Sequence, residues 1–319
     1  TLQKYIARRA LLAIPTLFGL TVLIFAIMRV MPGDPLATFI DGDYEARLTE
    51  EQIALMKKDL GLDRPLVVQY ASWMRDVLTG SFGYTLHRKE PIIEIVKMRG
   101  MISAEIGLIA VIVSWIIGLP VGILSAIKPN SIWDMLASST TVLFLAIPNF
   151  WLGLLIVLIA INFWSYHPPL VGVHLWEDPW ANFQIVIGPA MVLATSMAAI
   201  IARMARSSLF EVLREDYVRT ARAKGLREWS TIVSHALPNA LLPVLTISGV
   251  MLGFVLGGSV AVEVAFNAPG IGNTLITAAE TRDMHIVQSL VLLYGIIFVV
   301  VNLLVDLMYA LIDPRIKFA

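Results

Sequence analysis

The sequence predicts an all-α membrane protein with six transmembrane helices and both termini on the cytoplasmic side. Three observations carry that expectation. Apolar residues make up 57% of the 319-residue chain and charged residues only 15%, against about 45–50% and about 25% in soluble domains. The excess is gathered into long runs, and about 20 apolar residues are enough to cross a bilayer. The basic residues are also distributed unevenly between the connections of those runs, which sets orientation. Net charge is zero and there is no cysteine, so no whole-chain field invites nucleic acid and disulfide, thiol and sulfur-ligated chemistry are excluded.

The runs fall at roughly 10–30, 104–127, 136–163, 184–202, 240–262 and 286–312. The first follows Lys4, Arg8 and Arg9 as a signal peptide would, but it exceeds the usual h-region of about 7–15 residues. Met31-Pro32-Gly33-Asp34-Pro35 follows it in place of a small-residue cleavage site, so a retained helix is expected. Pro15, Pro120, Pro148 and Pro189 lie inside spans, where neighbouring helices can accommodate them. The N-terminus, the connection at Lys128, the 203–238 loop and the C-terminus together hold 13 basic residues, whereas the loops at 164–182 and 263–285 hold only Arg282. Segment 31–103 has 9 beyond Arg29, but loops longer than about 60 residues translocate largely regardless of charge.

The expected organisation is a transmembrane helix over 1–30, an extracytoplasmic helical domain over 31–103, a five-helix core over 104–312 and a tail over 313–319. Within 31–103, Thr49-Glu50-Glu51-Gln52 reads as a capping box whose helix stops before Gly61. Leu66, Tyr70, Trp73, Met74 and Val77 recur at helical spacing up to Gly80. Pro91 suits the first position of a third helix, whose Ile92, Ile93, Ile95 and Val96 are expected along the membrane surface.

The most informative stretch is the cytoplasmic loop 207–238 between the fourth and fifth spans. Ala-, Arg- and Lys-rich sequence favours helix on both sides of Gly225. Gly225 supplies a left-handed turn position, and Pro238 is expected to break the second helix just before the fifth span. The predicted product is a basic elbow with a small-residued tip, Asp216 to Pro238, suited to a partner's groove.

Ala221-x-x-x-Gly225, followed thirteen residues later by Pro238 within His235-Ala236-Leu237-Pro238, resembles the EAA loop of bacterial ABC-importer permeases. Arg219-Thr220-Ala221 stands where the family has Glu-Ala-Ala, a variant similar to the dipeptide/oligopeptide branch. Met31-Pro32-Gly33-Asp34-Pro35, Leu60 to Pro65, Phe266 to Gly272, Asn302 to Asp306 and Asp313-Pro314-Arg315 extend the resemblance over almost the whole chain. It implies a coupling helix that docks into an ATPase subunit through Asp216, Arg219, Thr220, Ala221, Arg222, Ala223, Lys224, Gly225, Leu226, Arg227, Glu228, His235, Leu237 and Pro238. It further implies a second permease subunit, two ATPase subunits carrying ATP and Mg, and an extracytoplasmic solute-binding protein. Peptides are the implied solute, with oligosaccharides, nickel complexes, glutathione and opines handled elsewhere in the branch.

A P-loop needs Gly-Lys-Ser/Thr, and the chain has no Gly-Lys dipeptide; any ATP must be hydrolysed by other chains. Gly249, Gly253 and Gly257 form a double small-xxx-small pattern that serves either packing within the subunit or a seam against a second permease. With Pro148 and Asn149 they are the candidate translocation-path residues. Glu105 and Asp306 are intramembrane acids near interfaces, for which structural roles are expected. His87, His167, His174, His235 and His285 show neither i, i+4 pairing nor HExxH, so no metal site is expected. Gly270-Ile271-Gly272 reads as an outer turn near a delivering binding protein. An ion-coupled transporter would need buried charges at mid-membrane, and a membrane enzyme a convergent polar site; the sequence assembles neither, and no catalytic residue or cofactor site is expected.

Overall fold

A computed structural model describes residues 2–30, 50–59, 61–86, 89–169 and 171–312. The helices are α1 (Leu2–Val30), α2 (Glu50–Asp59), α3 (Leu66–Leu78), α4 (Ile92–Ile127), α5 (Ile132–Ala146), α6 (Asn149–Trp164), α7 (Pro179–Val212), α8 (Asp216–Ala223), α9 (Glu228–Thr231), α10 (Leu237–Phe266), α11 (Ile271–Glu280) and α12 (Met284–Ile312). A π-helical turn, Ile232–Ala236, joins α9 to α10. Among the described residues the only extended pairing is one bridge between Tyr84 and Pro91.

Among the described residues, five helices are long and apolar enough to cross a membrane, and six crossings result if α5 and α6 count as one. Their outward faces are apolar: Leu11, Phe18, Leu108, Ile116, Leu158 and Phe163 are all exposed. In water that would be an aggregation-prone surface; against lipid chains it is matched. Trp164, Trp176 and Trp180 cluster near the α6–α7 connection, exposed as in an interfacial aromatic belt.

The core is built on α7. Its Ile185, Val186, Ala190, Val192 and Leu193 are buried against Ile106 and Ala110 of α4 and Val255 and Val262 of α10. The α4–α7 contact is the most extensive in the chain, and glycine makes it close. A Cβ on Gly118 would stand 2.6 Å from the Ala198 carbonyl oxygen, and one on Gly122 2.5 Å from that of Ala202. Small residues four apart let two backbones approach in a membrane.

Three elements differ from expectation. The third helix of segment 31–103 does not lie apart on the membrane surface: α4 runs 36 residues without a break, about 54 Å at 1.5 Å per residue. Pro91 is its N-cap, no proline interrupts positions 92–103, and Ile92 and Ile102 are buried, so nothing there stops a helix. The boundary expected at 103 therefore falls inside α4.

The third span, expected as one helix over 136–163, is two helices bent by 95°. Pro148 lacks an N–H and forces Ile147 into extended backbone (φ −84°, ψ 123°), as residues before proline are. Neither half alone reaches the roughly 30 Å of a hydrocarbon core.

Pro238, expected as a break, is absorbed. The Leu237 N–H donates to the Ile232 carbonyl five residues back. The wider π turn gives the proline ring room and continues straight into α10.

At the end of the bundle opposite the elbow, α3 rests on α1. Tyr70 meets Phe25 edge-on at 5.3 Å and bonds Thr21 Oγ1 at 2.7 Å, while Trp73 stacks on Phe25 at 6.2 Å. Helix α2 ends before Gly61 (φ +65°) and α3 before Gly80 (φ +75°), as their spacing predicts. Thr49 of the expected capping box, the Met31–Pro35 motif, His87 and 313–319 lie outside the described residues.

Candidate coupling elbow and translocation path

The elbow begins where α7 ends. Asp216, Arg219, Thr220, Ala221, Arg222 and Ala223 lie in α8, Lys224 is its C-cap, Leu226 and Arg227 form the link, and Glu228 opens α9. Gly225 sits at φ +81°. Its N–H donates to the Arg222 carbonyl at 2.9 Å and the Leu226 N–H to the Ala221 carbonyl at 3.4 Å, the paired bonds of a Schellman motif that satisfy the end of α8. A side chain at Gly225 would meet nothing within 4 Å. The glycine is thus required by backbone conformation, not by packing within the chain.

Two α8 residues anchor the elbow. Val218 is fully buried with Leu209 of α7, Ala126 of α4, Ala236 of the π turn and Ala240 of α10, and Ala221 is buried beside it. Ser208 Oγ donates to the Ala240 carbonyl at 2.9 Å, and Asn239 Nδ2 to Tyr217 Oη at 2.8 Å. The nine consecutive residues from Arg222 to Ser230 are all exposed. Across the tip, Arg222 grips Glu228 with two bonds, at 2.6 and 3.0 Å. Through those bonds the guanidinium holds the Glu228 carboxyl below its ordinary pKa. His235 projects from the π turn, and Leu237 and Pro238 open α10. Trp229, 70% exposed, was not distinguished by spacing; a large aromatic in a basic loop was the available signal.

A second feature is a cavity of about 960 Å³ between α1, α7, α10 and α12, lined mostly by apolar side chains and including Asn149, Gly253, Gly257, Tyr294 and Phe298. Three of the five candidate path residues therefore meet. Asn149 Nδ2 donates to Ser196 Oγ across the wall at 3.1 Å. Gly249 and Pro148 do not line it. Gly249 packs on α12, where a Cβ would stand 2.5 Å from Val305, and Gly253 faces Phe298 at 2.9 Å; Gly257 has nothing within 4 Å.

The two family models that match the chain account for almost all of it. One, the binding-protein-dependent transport system inner membrane component, matches residues 118–318, and its N-terminal counterpart matches residues 2–97. The chain belongs to this family of ABC-importer permeases. Among similar permeases, the dipeptide transport system permease DppB of Escherichia coli K12 is 37% identical, covering 98% of each chain. The oligopeptide permease AppB of Bacillus subtilis is 38% identical, covering 99% of this chain and all of AppB. The glutathione permease GsiC of Pectobacterium atrosepticum is 37% identical, covering 99% of each. As a member of this family the protein is a membrane-embedded permease subunit and not itself an ATPase.

Ionisable residues of the permease sort differently from expectation. Glu105 accepts from Asn182 Nδ2 at 2.7 Å and ties α4 to α7, the structural role expected of it. The side chain of Asp306 lies outside the described residues. Three buried acids escaped the sequence: Glu263, Asp134 and Asp283, the last of which accepts from the Leu86 N–H. Glu263, fully buried, accepts from Ser103 Oγ at 2.8 Å and from the N–H groups of Gly272 at 2.7 Å and Asn273 at 3.3 Å. Gly270-Ile271-Gly272 is therefore the anchored start of α11 and not a free turn. Asp134, 3% exposed, is gripped by Arg206. Among the described residues, no group of three or more His, Cys, Asp or Glu could hold a metal ion.

Proposed function

We propose that this permease forms half of a translocation path for peptides and is driven through its elbow by a separate ATPase subunit. In this reading both termini, Lys128 and the elbow lie in the cytoplasm, and segment 31–103 with α11 lies outside, facing a solute-binding protein; the basic residues of the short connections support that orientation. The observation that carries the proposal is the elbow: an exposed nine-residue tip set rigidly by a Schellman turn and seated by Val218 on the ends of α4, α7 and α10. A force applied at the tip is delivered to three core helices at once. Tyr217, Leu226 and Trp229 supply apolar contact on the exposed surface, and Arg219, Lys224 and Arg227 supply charge.

The other half of the path is a second permease, most simply a related chain, with two ATPases that hold ATP and Mg. Their closure on ATP draws the two elbows together. The cavity beside Asn149, Gly253 and Gly257 then changes the side to which it opens, and solute released by the binding protein passes inward. Peptides lead because the relatives DppB and AppB bear dipeptide and oligopeptide names. GsiC, named for glutathione, favours a second reading in which a modified tripeptide is the cargo.

The test is Gly225→Asp in the assembled importer. No neighbouring atom opposes a side chain there, and Asp is among the few residues that adopt the left-handed backbone, at a cost of about 1–2 kcal/mol, so membrane levels stay close to normal. ATPase copurification and uptake of labelled dipeptide both fall at least tenfold. Normal copurification with normal uptake overturns the coupling role; wild-type uptake of glutathione but not of dipeptide would establish the second cargo.

A further inference from the structure

The buried carboxylate of Asp134 gathers three separate pieces of the chain at the elbow end of the bundle. Arg206 of α7 donates to it in a fork, Nε to Oδ1 at 2.7 Å and Nη2 to Oδ2 at 2.9 Å. Ser125 Oγ of α4 donates to Oδ1, and the Asn130 N–H of the α4–α5 turn to Oδ2 at 2.9 Å. Asp134 itself lies in the first turn of α5, where its own N–H bonds the N-cap Ser131 Oγ at 3.2 Å. Forked Arg–carboxylate pairs are directional as well as strong.

Position gives the pair its significance. Arg206 precedes Leu209 by three residues, one helical turn along the same face, and Leu209 is the α7 side chain packed with Val218 of the elbow. Ser125 adjoins Ala126, the α4 contact in that same cluster. Clasp and elbow seat therefore share two helices and lie one turn apart. Helix α5 has little else to hold it: Asp134 and Thr141 are its buried residues, while Trp133, Met135 and Leu136 face outward. At its far end, α5 turns through 95° at Pro148 into α6, where Asn149 lines the cavity and bonds Ser196.

We propose that Asp134 and Arg206 form a mechanical clasp that makes α5 follow the elbow, carrying its displacement to the Asn149 corner of the translocation path. They are positioning residues, acting through α5 and not by contact with solute. The inference rests on the elbow being the ATPase docking element. It adds that seating on α4, α7 and α10 is insufficient, and that the broken helix needs its own ionic tether to be driven.

The test uses the complete importer, with partner permease, ATPases and binding protein, in proteoliposomes. Solute moved per ATP hydrolysed is the readout, because a merely structural contact would lower both rates together. Asp134→Asn keeps the shape: its amide oxygen still accepts from the Asn130 N–H and its NH2 group donates to Ser125 Oγ, but the charge and the forked acceptor for Arg206 are lost. ATPase association and binding-protein-stimulated hydrolysis are retained, while solute moved per ATP falls at least tenfold. Because the chain has no cysteine, the double variant Asp134→Cys/Arg206→Cys offers an internal control. A short bifunctional thiol cross-linker across the pair restores the ratio, and its reductive cleavage abolishes it again. A wild-type ratio in Asp134→Asn, a ratio the cross-linker does not raise, or a complex that assembles only when cross-linked each overturns the clasp. The first two leave the elbow's role intact if Gly225→Asp still detaches the ATPase. Should Gly225→Asp have no effect, the coupling proposal fails independently.

Discussion

Glycines in this chain have different physical roles at different sites, and a single methyl group separates them. Gly122 faces the Ala202 carbonyl oxygen at 2.5 Å and the Ala205 Cβ at 2.7 Å from where a Cβ would be; backbone cannot rotate away as a side chain can. Gly122→Ala should push α4 from α7 and lower stability by about 1–3 kcal/mol, the usual cost of overpacking. Gly257→Ala meets open space and removes a flexible residue from a helix, so it should be neutral or stabilising by up to about 1 kcal/mol. Thermal unfolding of the two variants in detergent compares them directly, and equal shifts would mean that the α4–α7 approach is not the close one. The 118–122 pair has the same small-xxx-small spacing as the 249–257 triplet, so the pattern was visible for both. Spacing shows that a backbone can be approached and does not show by which helix. Gly249 and Gly253 proved to face side chains of α12, whereas Gly118 and Gly122 face the backbone of α7.

Helices locate the buried acids better than hydropathy windows do. Glu263 falls one residue beyond the fifth span as the windows draw it, and so reads as a loop residue; α10 in fact continues to Phe266. That extra turn carries the carboxylate under the N-terminus of α11, where free N–H groups and the helix dipole favour an anion. Glu263→Ala would leave Ser103 and two α11 N–H groups buried without their acceptor, at about 1–3 kcal/mol for each unmet group. The expected result is a destabilised permease in which α11 becomes accessible to protease first. Glu263→Gln, which still accepts, should retain most of the stability, and equal losses in the two variants would remove the anchoring role. The two proline sites show the same limit of local reading. Pro148 and Pro238 are equally legible as breakers, yet one bends the chain by 95° and the other is absorbed by a π turn. Pro148 holds Ile147 in extended backbone, whereas at Pro238 the Leu237 N–H reaches back five residues to the Ile232 carbonyl; neither outcome is written in the dipeptide itself.

At the scale of the molecule, the proposed orientation rests on charge and on the two ends the contacts define. Helix α3, segment 81–91, α11 and the start of α12 are stitched together at one end: Leu86 N–H to Asp283 Oδ2 at 2.8 Å, Ser289 Oγ to the Phe82 carbonyl at 3.2 Å, and Arg99 to Thr274 Oγ1 at 3.0 Å. Lys128, the elbow and the start of α1 occupy the other end. Basic residues in short connections concentrate at that second end, which through the positive-inside rule supports the proposal that it faces the cytoplasm. The charge asymmetry was legible in the sequence; the stitching was not, because it joins residues about 200 positions apart through bonds that leave no periodic trace. Six crossings then require the 165–178 connection and the elbow to lie on opposite sides, since α7 alone separates them. Trp176 and Trp229 are both well exposed, so single cysteines at these two positions of the cysteine-free chain can be reached by a membrane-impermeant maleimide. In intact cells Trp176→Cys should react and Trp229→Cys should not; in inside-out vesicles stripped of the ATPase subunits the order reverses. Labelling of both from one side would mean that α7 does not cross, and with that the elbow could not carry force from a cytoplasmic ATPase to the core helices.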